Sequence, residues 1–451
     1  MSPTRRDACT LRLSIVAVAS LVGLGAKVQA QDVPASSSAT TPLAPSSTAA
    51  FGAPDPSPYY IGASQALTHD SNVYRVPNGQ SDNYSSTSLL AGFDQPISRQ
   101  RVFGRAEVSV NRYQREDRLN NTSYNLNAGA DLETIENLSG NLRLGLSRNL
   151  AAPSATSVNA PTAQRNIMQF QSVDARARWG GPGLLSLEGS VGYVSVDQTG
   201  NSAAADSTQQ SASLGINYHP GGPLRVGVAA RGVRTRTPDA IFDPATGSFR
   251  SNTSTSKNLD FLAVYRLTGL LSMNGRLSYT QQDNSGISDA DFSGVTGNVS
   301  VRWQPTGKTS VNFLAGRDTG FDLGRFDSQI VVLTTSTPVV IPVSATYENN
   351  RVTDFIALGA AYSATAKVNV IADARYSRAK LLRSTVTSLG ATTSIETTDS
   401  VKTASLGVNY AATRYLSATC SLAREDRDVS GGITYSYVAN RVSCLAQFTW
   451  R

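Results

Sequence analysis

From Tyr59 to the end of the chain one unit repeats: about ten residues with every second one apolar, then a break. Leu142, Leu144 and Leu146 alternate with Arg143, Gly145 and Ser147; Val295, Val299, Val301 and Trp303 alternate with Thr296, Asn298, Ser300 and Arg302. Successive side chains of an extended strand point to opposite faces, so period two marks strands with one apolar and one polar face. Helical spacing is nowhere sustained. A soluble β-sandwich carries the same period, so the breaks between units must decide.

The breaks are of two kinds that take turns. Short ones include Gly180-Gly181-Pro182-Gly183, His219-Pro220-Gly221-Gly222, Leu267-Thr268-Gly269, Pro305-Thr306-Gly307-Lys308 and Ala364-Thr365-Ala366; between them lie the longer polar stretches 151–167, 198–207, 237–254, 318–350 and 382–396. Short periplasmic turns alternating with long extracellular loops is the pattern of a transmembrane antiparallel β-barrel of the Gram-negative outer membrane. A sandwich has no reason to sort its loops by parity. An aromatic residue also recurs where a strand runs down into a short turn: Phe93, Trp179, Tyr218, Tyr265, Trp303, Tyr362, Tyr410 and Trp450, which takes in all three tryptophans. Amphipathic rings favour the headgroup boundary, so one ring per hairpin at one level makes a periplasmic girdle. Aromatics capping a soluble core would leave that placement unexplained. The segments number about eighteen, with sixteen the alternative, each long enough to cross a bilayer at a tilt. An even number places both termini in the periplasm.

Ahead of the repeat, residues 1–30 read as a signal peptide. Arg5 and Arg6 form the charged start, residues 13–26 an apolar run, and Val28-Gln29-Ala30 a small-residue cleavage site, with cleavage expected after Ala30. The run is too short to span a bilayer as a helix. Residues 31–57 are almost wholly Ala, Ser, Thr, Pro and Gly and cannot bury a core, so they read as a disordered periplasmic tether, with the barrel over 58–451.

Charged residues make up 16 % of the chain, against about 25 % in soluble globular proteins. The formal net charge of +7 does not point to nucleic acid, because the arginines are spread singly through the strands and never form a basic block. If the apolar parity faces lipid, the other lines the lumen. Its charged members are Arg105, Glu107, Arg143, Asp174, Arg176, Arg178, Glu188, Arg225, Arg231, Arg276, Arg302, Asp373 and Arg375. Arginine outnumbers carboxylate in that set. A low-dielectric wall of net positive charge would concentrate anions such as acidic sugars; the alternative is that the arginines pair with nearby carboxylates and hold the wall together.

Cys9 precedes the apolar run and leaves with the signal peptide. Cys420 and Cys444 then remain on the last two strands, both on the lipid-facing parity. They form either a disulfide across adjacent strands, permitted in an oxidising compartment, or two small lipid-facing side chains. Stretch 318–350 contains two apolar runs, Gln329-Ile330-Val331-Val332-Leu333 and Pro338-Val339-Val340-Ile341-Pro342-Val343, unusual for a solvated loop. A hairpin extending the barrel wall is the favoured reading, an inward constriction the other.

Catalysis finds no support. A hydrolase needs a base beside its nucleophile, and the only histidines are His219, in a Pro-Gly turn, and His69, in Thr68-His69-Asp70-Ser71-Asn72. Hydrogen bonding at a strand end explains the latter more simply than a triad. Metal-ligand clusters, phosphate-cradling glycine loops and CxxC spacings are lacking, so no metal or other cofactor is expected. A gated siderophore-type receptor needs a plug ahead of its barrel, which residues 31–57 cannot make.

The segment from Ser57-Pro58-Tyr59-Tyr60-Ile61-Gly62-Ala63-Ser64-Gln65 into His69-Asp70-Ser71-Asn72-Val73-Tyr74-Arg75-Val76-Pro77 resembles the opening of the EpsL-like β-barrel porins associated with exopolysaccharide biosynthesis operons. The close is similar too: Arg414-Tyr415-Leu416-Ser417 begins the penultimate strand, Glu425-Asp426-Arg427 ends it, and Asn440-Arg441-Val442 opens the last. The resemblance implies export of exopolysaccharide through the outer membrane, with periplasmic and inner-membrane export components as partners, and brings no catalytic residues. Arg451 after Trp450 departs from the aromatic last residue usual for such barrels. Three roles stand at this point: a polysaccharide-export channel, a general diffusion porin for small solutes, and a structural or adhesive surface barrel.

Overall fold

A strand with one apolar face must cover that face with protein or lipid, and in hydrocarbon its backbone must find partners on both edges. The chain meets both demands by closing one antiparallel sheet on itself. The structure, a computed structural model, describes residues 57–134, 137–150, 165–180, 184–199, 206–243, 248–285, 291–319, 328–333, 338–343, 351–386, 392–430 and 436–450. The expected signal peptide, residues 1–30, and nearly all of the expected tether lie outside these residues.

The strands are β1 (Tyr59–Asp70), β2 (Asp82–Ile97), β3 (Gln100–Tyr113), β4 (Asn121–Glu133), β5 (Leu138–Leu150), β6 (Ile167–Trp179), β7 (Leu185–Thr199), β8 (Ser207–Tyr218), β9 (Leu224–Asp243) and β10 (Ser248–Thr268). They continue with β11 (Leu271–Asn284), β12 (Phe292–Thr306), β13 (Thr309–Thr319), β14 (Ser328–Leu333), β15 (Pro338–Val343), β16 (Arg351–Ser363), β17 (Val368–Val386), β18 (Thr392–Ala411), β19 (Leu416–Ser430) and β20 (Tyr437–Trp450). Eighteen of them form one sheet. Each pairs with its sequence neighbours, β13 pairs directly with β16, and β20 closes onto β1 from Ile61↔Trp450 to Asp70↔Arg441. No edge is left, and the strand number is the larger of the two expected.

Burial is inside out compared with a soluble protein. Along β8, Ala212, Leu214, Ile216 and Tyr218 point outward, with Leu214 and Ile216 58 % and 57 % exposed, while Ser211, Ser213 and Asn217 point inward. The most buried side chains include Asp260, Asn409, Gln282 and Thr235, and the most exposed include Trp179, Leu67 and Leu89. Each Å² of apolar surface left in water forgoes about 25 cal/mol, so a continuous apolar exterior is stable only against lipid. A closed sheet with that exterior and a polar interior is the transmembrane β-barrel fold.

One end of the barrel carries short turns, such as Ser98-Arg99, Gly269-Leu270 and Gly307-Lys308. In the His219-Pro220-Gly221-Gly222 turn, Gly221 and Gly222 hold φ of +88° and +84°, which glycine adopts without penalty. The other end differs from the sequence expectation in three stretches. Stretches 237–254 and 382–396 are largely strand: Ser248–Arg250 pairs with Ile241–Asp243, and 382–386 pairs with 392–396. Beyond the membrane both faces of a hairpin meet water, so apolar alternation fades although backbone pairing continues. In stretch 318–350, β14 and β15 do form a hairpin, in register from Ser328↔Val343 to Leu333↔Pro338, but as a two-stranded sheet of its own. The wall ladder stops at Thr319↔Val352, so the hairpin does not continue it. Pro338 and Pro342 lack the N–H that a further ladder would use.

Candidate functional site

The outward face sets the level of the site. Seven of the expected girdle residues, Phe93, Trp179, Tyr218, Tyr265, Trp303, Tyr362 and Tyr410, stand on outward positions at the turn end, as does Trp450; Phe93 and Tyr265 are half-buried and the others exposed. Above them, among the described residues, outward positions hold no Lys, Arg, Asp or Glu for the next several residues. Charges then appear: Lys257, Lys402 and Arg378 stand eight residues above Tyr265, Tyr410 and Val370, the last of which pairs with Tyr362, and Arg424 stands opposite Ala404, six above Tyr410. At a rise of about 3.4 Å per residue and a tilt of about 40°, eight residues climb about 20 Å, close to the apolar band of an outer-membrane barrel.

The inward face carries all thirteen residues expected there. Arg105 and Glu107 pair with each other on β3 at 3.0 Å. Arg143 reaches Asp131 on β4, and its guanidinium lies over the Phe103 ring, 4.8 Å from the centroid, with that of Arg101 at 5.1 Å from the same centroid. Arg176 meets Glu188 at 3.4 Å, and Arg178 stands directly across from Glu188 in the ladder. Arg231 and Asp260 join at 2.9 Å with both side chains buried, and Arg276 reaches Asp318 at 3.3 Å. Asp174 lies between Arg143 and Gly192 in register, Asp373 accepts from Ser405 at 3.4 Å, and Arg375 sits over Phe355. Arg225 is buried low on β9, and Arg302 is half-buried on β12.

This corrects the expected excess of arginine. The inward carboxylates Asp94, Asp131, Asp260, Asp318 and Asp399 escaped the sequence reading, and each takes an arginine, Asp399 through Arg427 at 2.7 Å. Two of them fall where the pattern is weakest: Asp318 opens the stretch read as a loop, and Asp260 shares its parity with the apolar Leu262 and Val264. At least seven of the thirteen expected residues thus stand in ion pairs, set among hydroxyls and amides.

At the loop end, residues 71–81 fold back into the barrel mouth. Asp70 accepts two hydrogen bonds from the Arg75 guanidinium, at 2.9 and 3.0 Å, one from Arg441 at 3.3 Å and one from the Asn72 backbone at 2.9 Å. Arg75 also faces Glu425 at 3.4 Å and donates to the Asn72 carbonyl. Asn72 Nδ2 donates to the carbonyls of Val76 and Val438, and the Tyr437 hydroxyl donates to Glu425. The loop thus ties β1 to β19 and β20 across the seam where the barrel closes. Tyr74 reaches sideways to Glu116 in the β3–β4 loop; burial, then that acceptor carboxylate, push its phenol up to about 12. Beside it, Tyr84 and Tyr113 stack with ring centroids 4.7 Å apart.

His69 bonds Asn83 through Nδ1 at 2.7 Å, and His219 meets the Gly222 carbonyl at 3.1 Å, both strand-end or turn contacts. Arg75 was missed as a mouth residue, although Asp70-Ser71-Asn72 ahead of it is a stretch able to turn the chain through side-chain bonds to backbone. Cys420 and Cys444 are direct cross-strand partners with Cα atoms 4.1 Å apart, joined in a disulfide on the outward face.

No protein-family model and no curated protein sequence matches this chain. Among solved structures, it is similar to the outer-membrane protein OpdK (OccK1) of Pseudomonas aeruginosa, with a TM-score of 0.42 and 10 % identity over 87 % of this chain and 99 % of that one. It is similar to the siderophore receptor PirA of Acinetobacter baumannii, with a TM-score of 0.41 and 8 % identity over 87 % of this chain and 81 % of that one. For the siderophore receptor PiuA of the same organism the values are 0.42, 10 %, 86 % and 82 %.

Proposed function

We propose that the chain is an outer-membrane channel through which a secreted polysaccharide leaves the cell. The observation that carries the channel is the closed eighteen-stranded sheet with a charge-free apolar belt outside and paired polar groups inside. Barrels of about this strand number leave an aqueous passage. The short turns face the periplasm in this reading and the long loops face outward.

A lining of arginine–carboxylate pairs, amides and hydroxyls supports carbohydrate as cargo. It offers donors and acceptors to sugar hydroxyls without an unpaired field that would hold an ion in place. The choice of exopolysaccharide, and of partners in the periplasm and inner membrane, rests on the resemblance of the two chain ends to the EpsL-like porins. The near balance of charge on the described wall equally favours a second reading, a general diffusion porin with little ion preference.

Deleting the gene, with complementation by the full chain, separates the two. Loss of secreted polymer, with polymer accumulating inside the cell, is the expected result. Normal polymer together with slower uptake of small solutes would replace export by general diffusion.

A further inference from the structure

The charged rim that tops the apolar belt is not uniform. Around β16–β19 two of its outward cations stand opposite carboxylates, Arg378 in register with Asp354 and Lys402 with Asp426, while Lys380 and Arg424 face uncharged partners in the ladder. On β9 and β10 it is different. Arg234 and Arg236 share the outward face of β9, and Lys257 on β10 stands opposite Gly232, diagonal to Arg234. All three are exposed. Neighbours of this kind lie about 7–8 Å apart, inside the screening length of about 8–10 Å, so Arg234 is repelled by both Arg236 and Lys257. Among the described outward residues of β8, β9 and β10 there is no carboxylate. The nearest is Asp283, on β11 opposite Thr255 and diagonal to Lys257, which leaves Arg234 and Arg236 with no carboxylate beside them on the described outward faces of β8–β10. The outward residues around the cations, Gln210, Thr253 and Thr255, carry amides and hydroxyls.

We propose that Arg234, Arg236 and Lys257 bind the phosphates of a phosphorylated glycolipid in the leaflet at the loop end. The proposal rests on the outer-membrane reading. The level selects a lipid over a free anion: Lys257 stands eight residues above Tyr265, so its stem lies along acyl chains while its ammonium reaches the headgroups. A phosphate between three cations relieves their repulsion and takes charge-assisted hydrogen bonds. Gln210 and the threonines offer partners to the sugar. The β9–β10 hairpin continues upward to Ile241–Asp243 and Ser248–Arg250, giving a headgroup a wall to lie against.

The test uses the full chain, folded in neutral detergent, with retained lipid counted by native mass spectrometry. The probes are bisphosphorylated lipid A, the same lipid dephosphorylated, and phosphatidylglycerol. The wild type is expected to retain bisphosphorylated lipid A, and R234Q/R236Q/K257Q to bind it on the order of a hundredfold more weakly, from about fivefold for each cation. R378Q/K402Q, altered where carboxylates already balance the rim, is expected to bind like the wild type. Equal retention by R234Q/R236Q/K257Q, or equal retention of the dephosphorylated lipid, overturns the phosphate site; equal retention of phosphatidylglycerol overturns its preference for a glycolipid. Should R234Q/R236Q/K257Q fail to fold, K257E alone is expected to lower retention, and unchanged retention overturns the site. Spin labels on β8 that meet no lipid in vesicles would instead defeat the membrane reading beneath it.

Discussion

Arg231 and Asp260 show what holds the inner wall. Their 2.9 Å contact is buried on both sides, and a buried ion pair is costly to break because one charge stays behind in a poorly solvated place. Asp260→Asn is expected to lower stability by about 3 kcal/mol, read as an earlier midpoint in guanidinium unfolding. Replacing both residues by leucine is expected to recover much of the loss; a midpoint unmoved by Asp260→Asn would remove the pair's structural role. Arg231 was legible in the sequence, because it breaks an otherwise small and apolar stretch, whereas its partner was not. On β10, Phe261, Leu262, Ala263 and Val264 make both parities apolar, and nothing in the sequence says across which ladder bond Arg231 will find a carboxylate.

Among the elements, the strands were readable and the loops were not. Period two is a local signal, so β5, β8 and β12 follow from their own residues. Where the barrel wall rises above the membrane the signal fades, and β9–β10 and β17–β18 run past the point where alternation stops. Loop 71–81 is the clearest case of information that only the closed barrel supplies, because Arg75 meets Asp70 nearby in sequence, whereas Glu425 reaches Arg75 and Arg441 reaches Asp70 only after β20 meets β1. Tyr74 pins the same loop sideways to Glu116. Its phenol ionises near 12 in the folded chain and near 10 when unfolded. The contact therefore contributes fully below pH ~10 and is lost as the pH rises through ~12. The tyrosinate absorbance of wild type minus Tyr74→Phe is expected to show a single step near pH 12, and a step near pH 10 would mean that the loop does not hold Tyr74 against Glu116.

For the molecule as a whole, closure was legible because it depends on regularities that the hairpins repeat: the parity of loop lengths and the aromatic residue beside each short turn. The character of the lumen was not, since it depends on cross-strand pairing that one sequence does not reveal. A wall that looked rich in arginine carries added carboxylates that pair with many of its arginines, and this shifts the expected cargo from anions in particular to polar, hydrogen-bonding solutes. The claim beneath all of this is that the apolar parity meets lipid. It is tested most directly by placing nitroxide labels one at a time at 211–216 on β8 of the full chain in phospholipid vesicles and measuring collision with oxygen and with a water-soluble nickel chelate. Oxygen collision is expected to peak at Ala212, Leu214 and Ile216, and to alternate with lower values at Ser211, Ser213 and Gly215. Uniform accessibility, or chelate collision highest at Leu214 and Ile216, would contradict a barrel that spans the membrane.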